Sequence, residues 1–266
     1  MSLPPVRIAS YNIHGCVGGD GRFAPERVAG VIAELDADVV ALQEVESRRM
    51  GFNTLEVLAG LTGYDAIAGP TVTGPHGDYG NGLLTRHRAC VVRRIDLGVG
   101  RREPRGAIDV DLACGGLPLR VMAVHLGLFP YERREQVQRL LRALEDGPPD
   151  QATVLVGDIN EWLLWGRPLR WLHDHFGETK VPPSFPSWLP FLSLDRIWVK
   201  PATLALSVRV HRSRLARQAS DHLPICAQLG HAAAHLPSAR RQRVARTARR
   251  KRARADARKA GAKPRP

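Results

Sequence analysis

The chain has 266 residues, 44% of them apolar, enough for one large domain or two small ones with a substantial core, and a wholly disordered protein is excluded. Its formal net charge of +13 is unevenly placed: residues 231–266 carry 13 Lys or Arg against one acid, Asp256, whereas residues 1–230 carry 26 against 25. A nearly neutral folded part followed by a basic, disordered tail is therefore expected, with the boundary near residue 230. The four cysteines (Cys16, Cys90, Cys114, Cys226) show neither a CxxC pair nor zinc-type spacing, so reduced thiols are expected. No leader-type apolar segment opens the sequence and no run approaches the roughly 18 apolar residues of a membrane span, so a soluble, cytoplasmic protein is the expectation.

In chain order, 6–13 predicts a strand, and 25–35 a helix, with Pro25 suited to its first turn. A strand at 38–45 and a glycine-closed helix at 54–63 follow. Strands are predicted at 81–85, 90–97, 106–112 and 119–126, then an amphipathic helix at 131–146. The strands at 153–159, 194–199, 204–210 and 223–229 complete the set. This mixture of helix-linked and hairpin-linked strands predicts an α/β fold with mixed sheets. Trp162, Trp165 and Trp171, spaced by three and six, read as packing residues along a helix, with base stacking the alternative.

Polar residues gather at the ends of these strands. Asn12 and His14 close the first, Glu44 lies at the end of the second, and His125 closes "VMAVH". Asp158 and Asn160 follow "VLVG", Asp195 opens "DRIWV", and Asp221–His222 precede the last strand. Strand ends on an α/β scaffold converge on one face, where ligand sites form. Each residue alone has a bland reading as a turn, cap or satisfied core group. The whole series is hard to assign to chance.

The segments "ASYNIHG", "ALQEVE", "YGNGLLTR", "PRGAIDV", "VHLG", "VLVGDINEW", "FPS…LDRIWV" and "SDHLPI" together resemble the endonuclease/exonuclease/phosphatase superfamily with the DNase I-like fold. They span the chain to about residue 229. The resemblance implies a four-layer α/β sandwich with two mixed central sheets, and Mg²⁺- or Mn²⁺-dependent phosphodiester hydrolysis by in-line attack of water. It implies Glu44 as metal ligand, with Asn12 giving an amide oxygen or orienting a metal-bound water, and Asp221 reaching the metal directly or through water. His222 is implied as the base oriented by Asp195, and Asp158 as the group that positions or deprotonates the water. Asn160 and His125 would donate hydrogen bonds to the transition state, while Asn81 and Arg105 would support the site or contact a substrate phosphate. Nucleic acid is the first expected substrate, and a phospholipid head group or small phosphoester the alternative. The basic tail is expected to bind nucleic-acid phosphates without sequence preference, an anionic membrane surface being the other candidate partner. A monomer is expected.

Overall fold

The computed structural model describes residues 5–47, 51–114, 117–146, 151–201 and 204–231. The chain divides into two units, Met1–Gly230 and His231–Pro266. Beyond His231, the basic segment lies outside the described residues.

Eleven strands are described. They are β1 (Val6–Asn12), β2 (Val39–Glu46), β3 (Asp65–Val72), β4 (Tyr79–Thr85), β5 (Ala89–Asp96), β6 (Gly106–Cys114), β7 (Leu117–His125), β8 (Ala152–Asp158), β9 (Asp195–Lys200), β10 (Leu204–Val210) and β11 (Ile225–His231). They form a six-stranded sheet in the order β10-β11-β1-β2-β4-β3 and a five-stranded sheet in the order β5-β6-β7-β8-β9. The β1–β2 and β7–β8 pairs are parallel; the other characterised pairs are antiparallel.

The period-2 alternation of side chains builds the layers. Ile8, Val39, Ala41 and Leu83 of the first sheet meet Ile108, Val121, Val154 and Ile197 of the second in a dry core between the sheets. Their neighbours Ala9, Val40 and Leu42 point outward onto Val28, Val31 and Ile32 of α1 (Pro25–Leu35) and Leu55 and Leu58 of α2 (Thr54–Thr62). On the outer face of the second sheet, Met122, Val124, Leu155 and Trp198 pack on α3 (Pro130–Glu145) and α4 (Arg167–Phe176). The short α5 (Arg214–Ala219) joins the α1 side. The result is the expected four-layer sandwich. Each buried Leu, Ile or Val in it contributes about 1.5–3 kcal/mol.

Local signals explain the helix ends. The Asn53 side chain accepts hydrogen bonds from the backbone N–H groups of Leu55 and Glu56, and Gly63, at φ +73°, closes α2. At the start of α3, the Phe129 N–H donates to Glu132. Two elements escaped the sequence reading. Strand β3 contains Gly69–Pro70, a pair that marks turns; it is an edge strand paired with β4, where proline is tolerated. Helix α5, six residues long and half polar, shows no usable periodicity. The packing assignment of Trp162 and Trp165 is corrected. Helix α4 begins at Arg167, so both lie before it, and their side chains are exposed. None of the four cysteines is paired in a disulfide. Among the described residues no helix is long and apolar enough to cross a membrane.

Candidate active site

The two parallel strand pairs end side by side, and the polar residues of the sequence series meet there. Asn12 ends β1, His125 ends β7, and Asp158 ends β8 in register with both His125 and Asp195. The Asn12 amide Nδ2 spans the two sheets, donating to Glu44 Oε1 at 2.9 Å and to Asp158 Oδ2 at 3.2 Å. Its Oδ1 accepts the backbone N–H of His14 at 3.1 Å. A flipped amide would set two donors against each other there, so the nitrogen is fixed toward the carboxylates.

Glu44 reaches the site through a local irregularity. The β2–β4 register shifts between Leu42 and Val45, and Glu44 adopts φ +56°. Such a bulge re-aims one side chain, and the left-handed conformation costs of order 1 kcal/mol at a non-glycine residue. Asn160, at φ +52°, shares this left-handed conformation, which an Asn tolerates, and its N–H donates to Asp158 Oδ1 at 2.9 Å. Next to Asp158, Gly157 (φ +150°) allows β7 and β8 to close up, since a Cβ there would sit 1.9 Å from the Val124 carbonyl oxygen.

His222 lies between two buried carboxylates. Its Nδ1 is 3.0 Å from Asp195 Oδ2, and its Nε2 is 3.8 Å from Asp158 Oδ2. Asp195 also accepts from Ser184 Oγ at 2.5 Å. Ser220 Oγ accepts the His222 N–H at 3.2 Å and donates to the Asn12 carbonyl at 2.7 Å, and the Phe185 ring lies 4.7 Å from the imidazole. Burial works to lower the imidazole pKa, but Asp195 first, then Asp158 and Asp221, lift it to about 10. Burial raises the Asp158 carboxyl to about 6; Asp195 adds to the rise and His222 opposes it. This perturbed pair is equipped to handle protons near neutral pH.

His125 is set for a different role. Arg105 Nη1 lies 3.0 Å from its Nδ1. A guanidinium only donates, so Nδ1 accepts and the ring proton sits on Nε2. That nitrogen faces Asp158 Oδ2 at 3.7 Å and Glu44 Oε1 at 4.0 Å. Burial, then the charges of Arg105 and His222, hold the ring pKa well below its usual value, so it is a neutral N–H donor. Asn160 Nδ2 donates to the Leu126 carbonyl at 3.0 Å; its 3.1 Å approach to the protonated Nε2 brings two donors together and is not a hydrogen bond. Asn81 is buried, and its amide donates to the Gly106 carbonyl at 2.8 Å, which positions the segment carrying Arg105. Asp221 is partly exposed at the site's edge, 4.0 Å from His14 Nδ1.

The site presents oxygen donors of the kind a divalent metal takes. Mg²⁺ and Mn²⁺ accept carboxylates and keep several waters. Glu44 and Asp221 are the carboxylates with access to solvent, whereas Asp195 is fully buried and already engaged by His222 and Ser184. Asp158, Asp195 and His222 each offer a ligand atom within 4.8 Å of the others, but the two carboxylates already hold His222 in its cationic form. The set fits a hard, partly hydrated ion. The Asn12 amide oxygen accepts from the His14 N–H with one of its two lone pairs, and its nitrogen holds the Glu44 and Asp158 carboxylates in place.

The model of the Endonuclease/Exonuclease/phosphatase family matches residues 9–222, which includes every residue of this cluster. The chain belongs to this family. Members of the family hydrolyse phosphoesters and generally depend on metal, and this chain is a phosphoester hydrolase of that kind. The uncharacterized protein YbhP of Escherichia coli K12 is 28% identical over 246 residues, covering 84% of this chain and 95% of that one. Among solved structures, an endonuclease/exonuclease/phosphatase from Beutenbergia cavernae is similar at a TM-score of 0.69 and 22% identity, covering 85% of this chain and 72% of that one. The mannosyl-6-phosphatase Bt3783 of Bacteroides thetaiotaomicron matches at 0.67 and 18%, covering 84% and 99%. At these identities the structural likenesses establish the DNase I-like fold.

Some members of the cluster were not singled out from the sequence. Ser184 lies in "PPSFPS", where proline and serine signal only a loop, and Ser220 sits beside the recognised Asp221–His222 pair. The buried Arg133–Glu161 pair, 3.2 Å apart, fixes the loop after Asn160 and left no sequence signal beyond two ordinary charges.

Proposed function

We propose that this hydrolase cleaves phosphodiesters with Mg²⁺ or Mn²⁺ by in-line attack of water. The observation that carries the reading is His222 held between Asp195 and Asp158, beside the neutral N–H of His125. Asp195 fixes the His222 ring with Nδ1 protonated and balances imidazolium. A water between Asp158 Oδ2 and His222 Nε2 is within reach of both, so its proton has a carboxylate to receive it as the oxygen attacks. The Nε2–H of His125 and the Asn160 amide donate to the phosphoryl oxygens as charge builds. Glu44 and Asp221 would hold the ion, which when bound supplies Lewis-acid polarisation of the phosphoryl group. Arg105 holds His125 and lies close enough to the site to assist with a substrate phosphate.

Two observations bear on the substrate. The basic C-terminal segment, which we propose is a tail appended to a catalytic domain of residues 1–230, favours nucleic acid, because its charges bind phosphates by counterion release. The exposed tryptophans near the site favour an amphipathic phosphoester. The four unpaired cysteines support a reducing, cytoplasmic compartment, and we take the protein to act as a monomer. The test is an activity panel of plasmid, single-stranded DNA, RNA, phospholipid vesicles and bis-p-nitrophenyl phosphate. Turnover of at least one substrate is expected with Mg²⁺ or Mn²⁺ and should vanish with EDTA. In Glu44→Gln the metal concentration for half-maximal rate should rise about 10-fold or more. Turnover that survives EDTA, or an unchanged metal requirement in Glu44→Gln, would refute the metal assignment.

A further inference from the structure

Three loops leave the edge where the catalytic residues lie: 126–129 after β7, 159–166 after β8, and 185–192 before β9. Their polarity is inverted. Glu161 is buried against Arg133, while Trp162, Leu164, Trp165, Trp188, Leu189 and Phe191 face solvent; Trp165 and Trp188 are each 72% exposed. The loops are tied together. Arg133 donates to the Gly127 and Leu128 carbonyls and to the Glu161 carboxylate, and the Ile159 N–H donates to the Leu194 carbonyl at 2.9 Å. The third loop adjoins the site directly: the Ser187 N–H donates to the Asp221 carbonyl at 2.6 Å, and Phe185 packs on His222. An apolar rim therefore borders the catalytic cluster. Exposing this many large apolar side chains to water is unfavourable, and such patches mark binding faces.

Charge selects the occupant. None of the three loops carries an exposed carboxylate; exposed arginines flank them, together with the exposed Glu103 and with Asp221 at the metal-facing edge of the site. Arg102 lies over the Phe129 ring at 4.1 Å, Arg167 follows the second loop, and Arg217 donates to the Ser187 and Trp188 carbonyls. Residues 231–266 add 13 basic residues against one acid. Tryptophan with leucine and phenylalanine, edged by arginine, is the composition that seats at a bilayer interface with anionic lipid. Single-stranded nucleic acid is bound by aromatic platforms along a basic groove; here leucines interleave with the rings and offer no stacking plane. We propose that this rim docks the protein on an anionic lipid bilayer, and that the phosphodiester reaching His222 there is a phospholipid head group. The substrate half of this inference rests on the hydrolase reading above.

The test uses the full chain and its Trp165→Ser/Trp188→Ser variant, both positions being exposed. Binding is measured without divalent metal, on phosphatidylcholine vesicles with and without phosphatidylglycerol, some carrying brominated acyl chains. The wild type should bind the anionic vesicles, and bromine should quench its tryptophan emission. Part of the binding should survive about 0.5 M NaCl, which screens the basic segment. The variant should bind at least about 10-fold more weakly. With Mg²⁺ or Mn²⁺, it should lose lipid hydrolysis in the same proportion and keep bis-p-nitrophenyl phosphate turnover within about twofold. Equal vesicle binding by the two proteins, or absence of quenching, overturns the docking site. So does a variant defect in single-stranded DNA binding or self-association without one on vesicles. Vesicle binding without head-group hydrolysis, in an enzyme active on the small ester, overturns the substrate assignment alone. Inactivity of the wild type on every ester refutes the hydrolase reading and leaves the binding result standing.

Discussion

His222→Ala is expected to lower kcat on bis-p-nitrophenyl phosphate by at least about 10²-fold with saturating Mg²⁺ or Mn²⁺. The expectation follows from the two carboxylates on either side of the ring. Asp195 engages Nδ1 at 3.0 Å, and Nε2 faces Asp158 at 3.8 Å. Without the imidazole, the carboxylate placed to receive the proton loses its cationic neighbour. Among the described residues, the fully buried Asp195 keeps only Ser184 as a side-chain hydrogen-bond partner. That loss also threatens the fold, so Asp195→Asn is the companion variant. An amide of the same shape leaves no cavity, yet removes the charge that balances imidazolium and fixes its tautomer. It should therefore also lose about 10²-fold or more in kcat, with circular dichroism and the metal requirement unchanged. If either folded variant turns over at the wild-type rate, the catalytic assignment of the pair fails.

How much of this was legible in the sequence depends on the kind of information each feature carries. The sandwich was legible because Ile8/Ala9 and Val39/Val40/Ala41/Leu42 supply apolar residues to both faces of buried strands, while α1 and α3 repeat at helical spacing. The site was legible because titratable residues stand where apolar strands stop, a placement that has a cost unless something uses it. The bulge that turns Glu44 inward was not legible, because it is set by pairing with β4, in another part of the chain. Nor was the rim. The spacing of Trp162, Trp165 and Trp171 carries no mark of where a helix begins; Gly166 and Pro168 carried that mark, as the N-cap and a first-turn residue of α4. Strand β6 misleads in another way. Its alternating Asp109 and Asp111 suggest a solvated face, and only the folded chain shows α3 covering Asp109 through Arg120, whose guanidinium also donates to the Ala143 carbonyl.

That buried charge should have the largest effect on stability. Asp109 is 1% exposed and accepts from Arg120 at 2.8 and 2.7 Å and from Arg93 at 2.8 and 3.2 Å. In Asp109→Ala, Arg93 keeps Asp111 at 2.9 Å, but among the described residues the buried Arg120 keeps only the Ala143 carbonyl. An uncompensated buried guanidinium costs about 3–5 kcal/mol, which lowers the thermal midpoint by roughly 10 °C in a domain of this size. Adding Arg120→Met should restore part of the loss, because it removes the stranded charge; simple additivity of the two replacements would contradict the pairing. Acid should act in the same direction. Burial works to raise the Asp109 carboxyl pKa, but hydrogen bonds from Arg120 and then Arg93 outweigh it and hold the value below its usual range. The stabilisation is therefore complete above the unfolded-chain pKa and is lost as pH falls through the lower, folded value. Urea unfolding at neutral and acid pH should show the gap between wild type and Asp109→Ala narrowing in acid. A gap below about 1 kcal/mol at neutral pH would mean that Asp109 behaves as a solvated surface charge.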